Sequence, residues 1–424
     1  MSELLILLFA VTYAAIAFEH PLKVNKSAPA LIGAGLMWTI YASFGGNAGA
    51  ELDASLATVA QIVFFLMGAM TIVEVVDAHD GFDVITDRIR TRKMVPLLWL
   101  IGLVTFFLSA VLDNLTTTIV MLSVSRKLLE QKDDRLFAAG IIVIAANAGG
   151  AWSPIGDVTT TMLWIGGQIS ALVIIKKLFL PSLLNLLVPL AVVSYLYRGE
   201  TIVHPQHAAD RHGTRGTAPF VKNFMFFAGI GLLCAVPVFK TLTHLPPFMG
   251  VMFALGILWL LGELIHGNKP EQEKQHLTLA SALQRIDMAS LVFFIGILLS
   301  VAVLEHSHIL ASLASWLDST IGNQGAIVFI FGLVSAIVDN VPLVAATMGM
   351  YSLAQFPTDS FLWEFLAYAA GTGGSILIIG SAAGVAAMGI EKIEFFWYVR
   401  KISLLAFAGY ASGAVSYILL SQIW

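Results

Sequence analysis

Apolar runs separated by short polar links occupy almost the whole chain. They fall at about 3–19, 28–45, 56–77, 136–168, 178–197, 223–241, 248–265, 287–305, 364–389 and 402–422. Each is long enough to cross roughly 30 Å of hydrocarbon as a helix. Two further runs, about 96–129 and 323–355, are too long for one simple span, and each is broken by polar residues at its middle. The first reads Ser-Ala-Val-Leu-Asp-Asn-Leu-Thr-Thr from Ser109 to Thr117, and the second Ser-Ala-Ile-Val-Asp-Asn-Val-Pro from Ser335 to Pro342. The pattern predicts a re-entrant helical hairpin in each case, entering and leaving on one side with the polar residues at its tip.

The two hairpins belong to a wider repeat. Val63-Phe64-Phe65 followed by Gly68 answers Val292-Phe293-Phe294 followed by Gly296. Ala145-Ala146-Asn147-Ala148-Gly149-Gly150 answers Ala369-Ala370-Gly371-Thr372-Gly373-Gly374, with Gly156 answering Gly380. The expected fold is therefore an all-α polytopic membrane protein of two repeats, each with about five spanning helices, one hairpin and one broken helix. The first repeat covers 1–197, with its broken helix at about 136–168. A cytoplasmic linker covers 198–222, and the second repeat covers 223–424, with its broken helix at about 364–389. An odd number of spans per repeat inverts the second against the first, the plan of many secondary transporters. Loop charges agree with it. If the linker is cytoplasmic, 20 of the 23 basic residues fall at cytoplasmic ends, and only Lys176, Lys177 and Lys240 lie outside. Such a bias sets orientation by the positive-inside rule and puts both termini outside.

Composition sharpens the class. Hydrophobic residues make up 58% of the chain, charged residues 12%, and the mean hydropathy is +0.85. Soluble domains carry roughly 25% charged residues, so the partner of this surface is a lipid bilayer. The single cysteine, Cys234, excludes an internal disulfide and a thiolate metal cluster. No Gly-x-x-x-x-Gly-Lys-Ser/Thr loop occurs, which argues against nucleotide-driven pumping. Neither a nucleic-acid partner nor a cofactor is expected. The apolar N-terminal run has no basic region before it and reads as a first span. The segment 83–93 reads as an amphipathic surface helix, and the linker histidines His204, His207 and His212 as part of a flexible connector.

A carboxylate inside an apolar run is costly unless it binds something, so intramembrane acids are candidate functional sites. After each hairpin comes a span interrupted by small and polar residues. The first interruption, Asn147 to Asp157, contains Pro154, which cannot continue a helix ladder. The second runs from Gly371 to Ser381 and relies on glycine alone. Irregular backbone at membrane depth is tolerated where it lines protein or water. Together the tips and breaks offer Asp113, Asn114, Thr116, Thr117, Asn147, Ser153, Asp157 and Thr159 from one half, and Asp339, Asn340, Thr372, Ser375 and Ser381 from the other. This oxygen-rich set, with neither arginine nor lysine in it, suits a hard cation such as Na+ or Li+. The ion is expected at Asp113, Asn114, Asp157, Asp339 and Asn340. Asp113, Asp157 and Asp339 also have the residue type and position of helix N-caps. Glu74, Asp77, His79 and Glu305 are candidates for a proton or pH role, with solvated helix ends as the plainer reading of the acids.

The paired Asp-Asn tips, the Gly-Gly-Ala-Trp-Ser-Pro-Ile-Gly-Asp break ending at Asp157 and the Glu74…Asp77-Ala78-His79 segment resemble the NhaD-type Na+/H+ antiporters. These belong to a superfamily that also holds dicarboxylate and arsenite carriers. The resemblance implies a homodimer in a bacterial inner membrane, elevator-like motion of a hairpin-bearing domain, and export of Na+ or Li+ driven by proton entry, which serves Na+ and pH homeostasis. Dicarboxylate carriers of the superfamily typically carry Ser-Asn-Thr at the tips, whereas both tips here begin with aspartate. An arsenite or small-anion carrier is the alternative within the fold. An intramembrane aspartyl protease would use two aspartates as well, but would leave the paired hairpins unexplained.

Overall fold

In the computed structural model, which describes residues 1–17, 22–45, 48–86, 91, 93–200, 218–267 and 277–423, helices follow the apolar runs and stop at the polar interruptions. The first half supplies α1 (Ser2–Ala17), α2 (Ser27–Ser43), α3 (Ala48–Ala78), α4 (Asp83–Thr86), α5 (Met94–Ser109), α6 (Asn114–Leu128), α7 (Lys132–Ala151), α8 (Val158–Ile165) and α9 (Ala171–Leu196). The second supplies α10 (Pro219–Thr243), α11 (Pro247–His266), α12 (Leu279–Arg285), α13 (Met288–His306), α14 (Ile309–Thr320), α15 (Gln324–Val334), α16 (Asn340–Met350), α17 (Phe361–Gly373), α18 (Ala382–Glu391), α19 (Phe395–Lys401) and α20 (Ser403–Leu420). Among the described residues, seven helices are long and apolar enough to cross a membrane, and α14–α15, bent by 120°, makes an eighth if counted as one span. The protein is a polytopic helical membrane protein.

Several boundaries differ from those expected. α3 begins at Ala48 rather than near 56, because Glu51 and Asp53 lie in its opening turns, where the helix dipole favours acids. α9 begins at Ala171 rather than near 178, since Lys177 turns inward to Glu364, Nζ to Oε1 2.7 Å, and so remains within the helix. α14 was hidden in the sequence because Ser312, Ser315, Asp318 and Ser319 interrupt any apolar run. Leu310 and Ala314, four apart, nevertheless form a buried face. Of the expected surface helix at 83–93, only α4 lies within the described residues, and the histidines of the linker lie outside them.

The interior is organised around α7 and α17. Every residue of α7 from Leu136 to Ala151 and of α17 from Leu362 to Gly373 is buried. The arms of the first hairpin, α5 and α6, both pack on α7; those of the second, α15 and α16, both pack on α17. The second arms then cross over: α6 also packs on α18 and α16 on α8, so each hairpin leans on the restarted helix of the other half. A second group, α1–α3 with α10–α13, packs mainly on itself and meets the first through α13 against α16 and α3 against α8.

Matching contacts fix the two hairpins. Ser109 Oγ donates to Ala146 O at 2.6 Å, and Ser335 Oγ donates to Ala370 O at 2.8 Å. A Cβ on Gly149 would collide with the carbonyl of Phe106, and one on Gly373 with that of Gly332. Glycine is required at both because a hairpin arm and a broken helix touch backbone to backbone.

Candidate functional site

Four helices start at the same place in the interior, and each is capped by a residue singled out in the sequence. Asp113 caps α6, accepting from Thr116 N at 2.8 Å. Asp157 caps α8, accepting from Thr159 N at 2.9 Å. Asp339 caps α16 through Val341 N at 3.2 Å, and Ser381 caps α18 through Gly384 N at 3.2 Å. Helix starts attract negative charge. Here three of the four have that charge built in as a side chain.

Asp157 is the centre of what the caps enclose. It is 1% exposed. Its Oδ1 also accepts from Thr159 Oγ1 at 2.9 Å, and its Oδ2 from Asn114 Nδ2 at 2.7 Å. Asn340 Nδ2 stands 3.5 Å from both oxygens. The amides of the two hairpin tips thus converge on one carboxylate. Asn114 Nδ2 reaches Asn147 Oδ1 as well, at 3.0 Å, and Asn147 Nδ2 donates to Ser375 Oγ and Ser381 Oγ, both at 2.9 Å. One polar chain therefore runs from Asn340 through Asp157, Asn114 and Asn147 to Ser375 and Ser381, joining both halves of the molecule.

The halves contribute unequally. In the repeat, Gly371 stands where the first half has Asn147, and Ser381 where it has Asp157. The missing side chain leaves room: a Cβ on Gly371 would sit 3.9 Å from Asp157 Oδ2. The central charge comes from the first half alone.

The structure brings Asn114, Asn147, Asp157, Thr159, Asn340, Ser375 and Ser381 into one cluster. Asp113 turns toward its own helix, its Oδ2 accepting from Thr116 Oγ1 at 2.8 Å, and it holds a backbone φ of 138°, a region L-residues rarely occupy. Thr117 Oγ1 is buried and has no hydrogen-bond partner among the described residues. Ser153 Oγ donates to Ala110 O, tying the break to the first tip. Thr372 Oγ1 bonds back to Tyr368 O at 2.6 Å, within α17. Glu74 and Asp77 line a cavity of about 350 Å³ that reaches Thr116 and the start of α18. Glu305 lines another, of about 250 Å³, at the opposite ends of α3 and α13. His79 is away from both, its Nε2 2.8 Å from that of buried His266.

Sequence reasoning missed three neighbours. Lys26 Nζ lies 3.2 Å from Asp339 Oδ2, which corrects the expectation of a site free of lysine. Asp339 N donates to Tyr13 Oη at 2.9 Å, and Tyr398 Oη donates to Ser375 O at 2.8 Å. None of them sits in an interrupted run, and Lys26 is 313 residues from its partner.

Helices that stop and restart around a buried carboxylate, in a polytopic helical membrane protein, define a membrane transporter. A family model described as citrate transporter matches residues 13–373. Sodium/proton antiporter 1 of Arabidopsis thaliana is 54% identical over 97% of this chain and 71% of its own length. Sodium/proton antiporter 2 of the same plant is 50% identical over 97% and 98%. The Na(+)/H(+) antiporter NhaD of Vibrio cholerae is 32% identical over 98% and 91%. The chain belongs to this family of transporters, in its NhaD-type antiporter branch, and is not an enzyme.

Proposed function

We propose that this protein exchanges Na+ for H+ across the membrane at a site centred on Asp157. The observation that carries the reading is the Asp157 carboxylate, buried at the meeting of the two halves and hydrogen-bonded, among the described residues, by the neutral donors of Asn114, Thr159 and Asn340. A bare charge in such surroundings is costly. The carboxylate is therefore served by a proton or by a small cation, and one replaces the other. Proton and Na+ carry the same charge, so a group that alternates between them needs no separate proton path and gives obligatory exchange. Oxygens of Asp157, Thr159, Ser375 and Ser381 suit Na+ or Li+. Acidic caps at three helix starts oppose a tricarboxylate or another anion.

The same proposal includes elevator-type motion of α5–α9 with α15–α18 and α20 against α1–α3 with α10–α13, supported by the packing of each group mainly on itself. It includes inverted repeats, hairpins that re-enter, both termini outside, a homodimer, and a place in a plasma membrane for Na+ and pH homeostasis. Everted vesicles carrying the protein are expected to lose a preformed pH gradient on addition of Na+ or Li+ and to take up no citrate. A gradient unmoved by Na+ and Li+ would sink the reading.

A further inference from the structure

The two hairpin tips carry the same Asp-Asn pair but use the aspartate differently, and the residue three positions on explains why. In the first half that residue is Thr116, whose N–H and hydroxyl engage both oxygens of Asp113. In the second it is Pro342, which has neither group. Asp339 Oδ1 takes Val341 N instead, and Oδ2 is left to Lys26 at 3.2 Å. The lysine comes from the link between α1 and α2, in the helix group other than the one that carries the hairpins, and its ammonium also stands 4.2 Å from the centre of the buried Phe293 ring. Both side chains are largely withdrawn from solvent, 19% and 15% exposed. Lys26 lines the cavity of about 350 Å³ together with Glu74, Asp77, Arg285 and Asp287.

We propose that Lys26 is a tethered competitor for the transported cation: its ammonium occupies Asp339 when the tip is empty, and a Na+ arriving through this cavity displaces it. Displacement also removes one of the two contacts between the α1–α2 segment and Asp339, leaving the one from the Asp339 N–H to Tyr13 Oη, so cation binding at this tip loosens the hold of one helix group on the other. The inference rests on the Na+/H+ reading and adds a second cation position, at Asp339, under the control of a lysine.

The test measures Na+ dependence in vesicles and, separately, the Na+-induced rise in melting temperature of purified protein. Lys26→Met, and Lys26→Gln should the first fail to fold, is expected to lower the Na+ concentration giving half effect by about tenfold in both measurements, because a fixed competitor is gone. Lys26→Arg, which keeps the charge, is expected to stay near wild type. In an Asp339→Asn background, Lys26→Met is expected to change nothing further. A folded Lys26→Met protein with an unchanged or higher Na+ requirement overturns the proposal, as does an equal shift in the arginine variant. Loss of the Na+/H+ reading is a different result: wild-type vesicles would then show no Na+-driven proton movement. The melting measurement would still decide whether Lys26 competes with Na+.

Discussion

Asp157 gathers its donors from both halves, and the proposed exchange turns on that one side chain. Asp157→Asn keeps the shape and removes the charge, so it is expected to abolish Na+-driven proton movement while the purified protein melts near the wild-type temperature; vesicle assays beside thermal denaturation check both. Asn340 touches the same carboxylate only at 3.5 Å, so Asn340→Ala should weaken Na+ by roughly tenfold, the scale of a single hydrogen bond to a charged group. Competition for one carboxylate has a pH consequence. On the acid side protons occupy the group, and the half-saturating Na+ concentration is expected to rise about tenfold per pH unit, with the maximal rate nearly constant. On the alkaline side it should level off. Titrating vesicle exchange against Na+ at several pH values reads this directly, and a requirement flat throughout would exclude shared occupancy.

Helix contacts show what a sequence discloses and what it withholds. Asp113, Asp157 and Asp339 were legible because an acid within an apolar run has few physical explanations. The glycine-rich breaks were legible because proline or clustered glycine stops a helix. Lys26 was not, since a basic residue in a short link looks like any other loop charge until the fold carries Asp339 to it. α14 was lost because its face is amphipathic, and α9 was shortened because hydropathy cannot foresee that Lys177 finds buried Glu364, whose Oε2 also accepts from Tyr417 Oη at 2.8 Å. A clamp at the far end of the first hairpin was equally invisible. Glu391, closing α18, accepts from Arg126 Nε of α6 at 2.5 Å and pairs with Arg135 of α7 at 3.5 Å. Glu391→Gln weakens both pairs and is expected to lower stability by about 1–2 kcal/mol, discounted because both arginines are partly solvated; a lowered melting temperature with the Na+ requirement unchanged would bear this out. Gly149→Ala should cost more, roughly 1–3 kcal/mol, because its methyl must displace the backbone of Phe106.

At the scale of the whole molecule, the orientation has its own test. With Cys234 replaced by alanine, a cysteine at position 207 is expected to resist a membrane-impermeant thiol reagent in intact cells and to react in everted vesicles. The packing of the hairpins also limits how an ion could be let out. Swinging the first hairpin outward as a flap would break the Ser109–Ala146 bond, drag the Phe106 carbonyl off Gly149 and strand polar backbone groups in a dry interior, each costing about 1–3 kcal/mol. The second hairpin carries the matching bond from Ser335 and the matching contact at Gly373. Tip and broken helix are in effect one casting in each half. Under the proposed elevator motion, the ion would be uncovered as the surrounding wall slides past that casting, and an occluded state would be one in which neither end of the wall has yet cleared it.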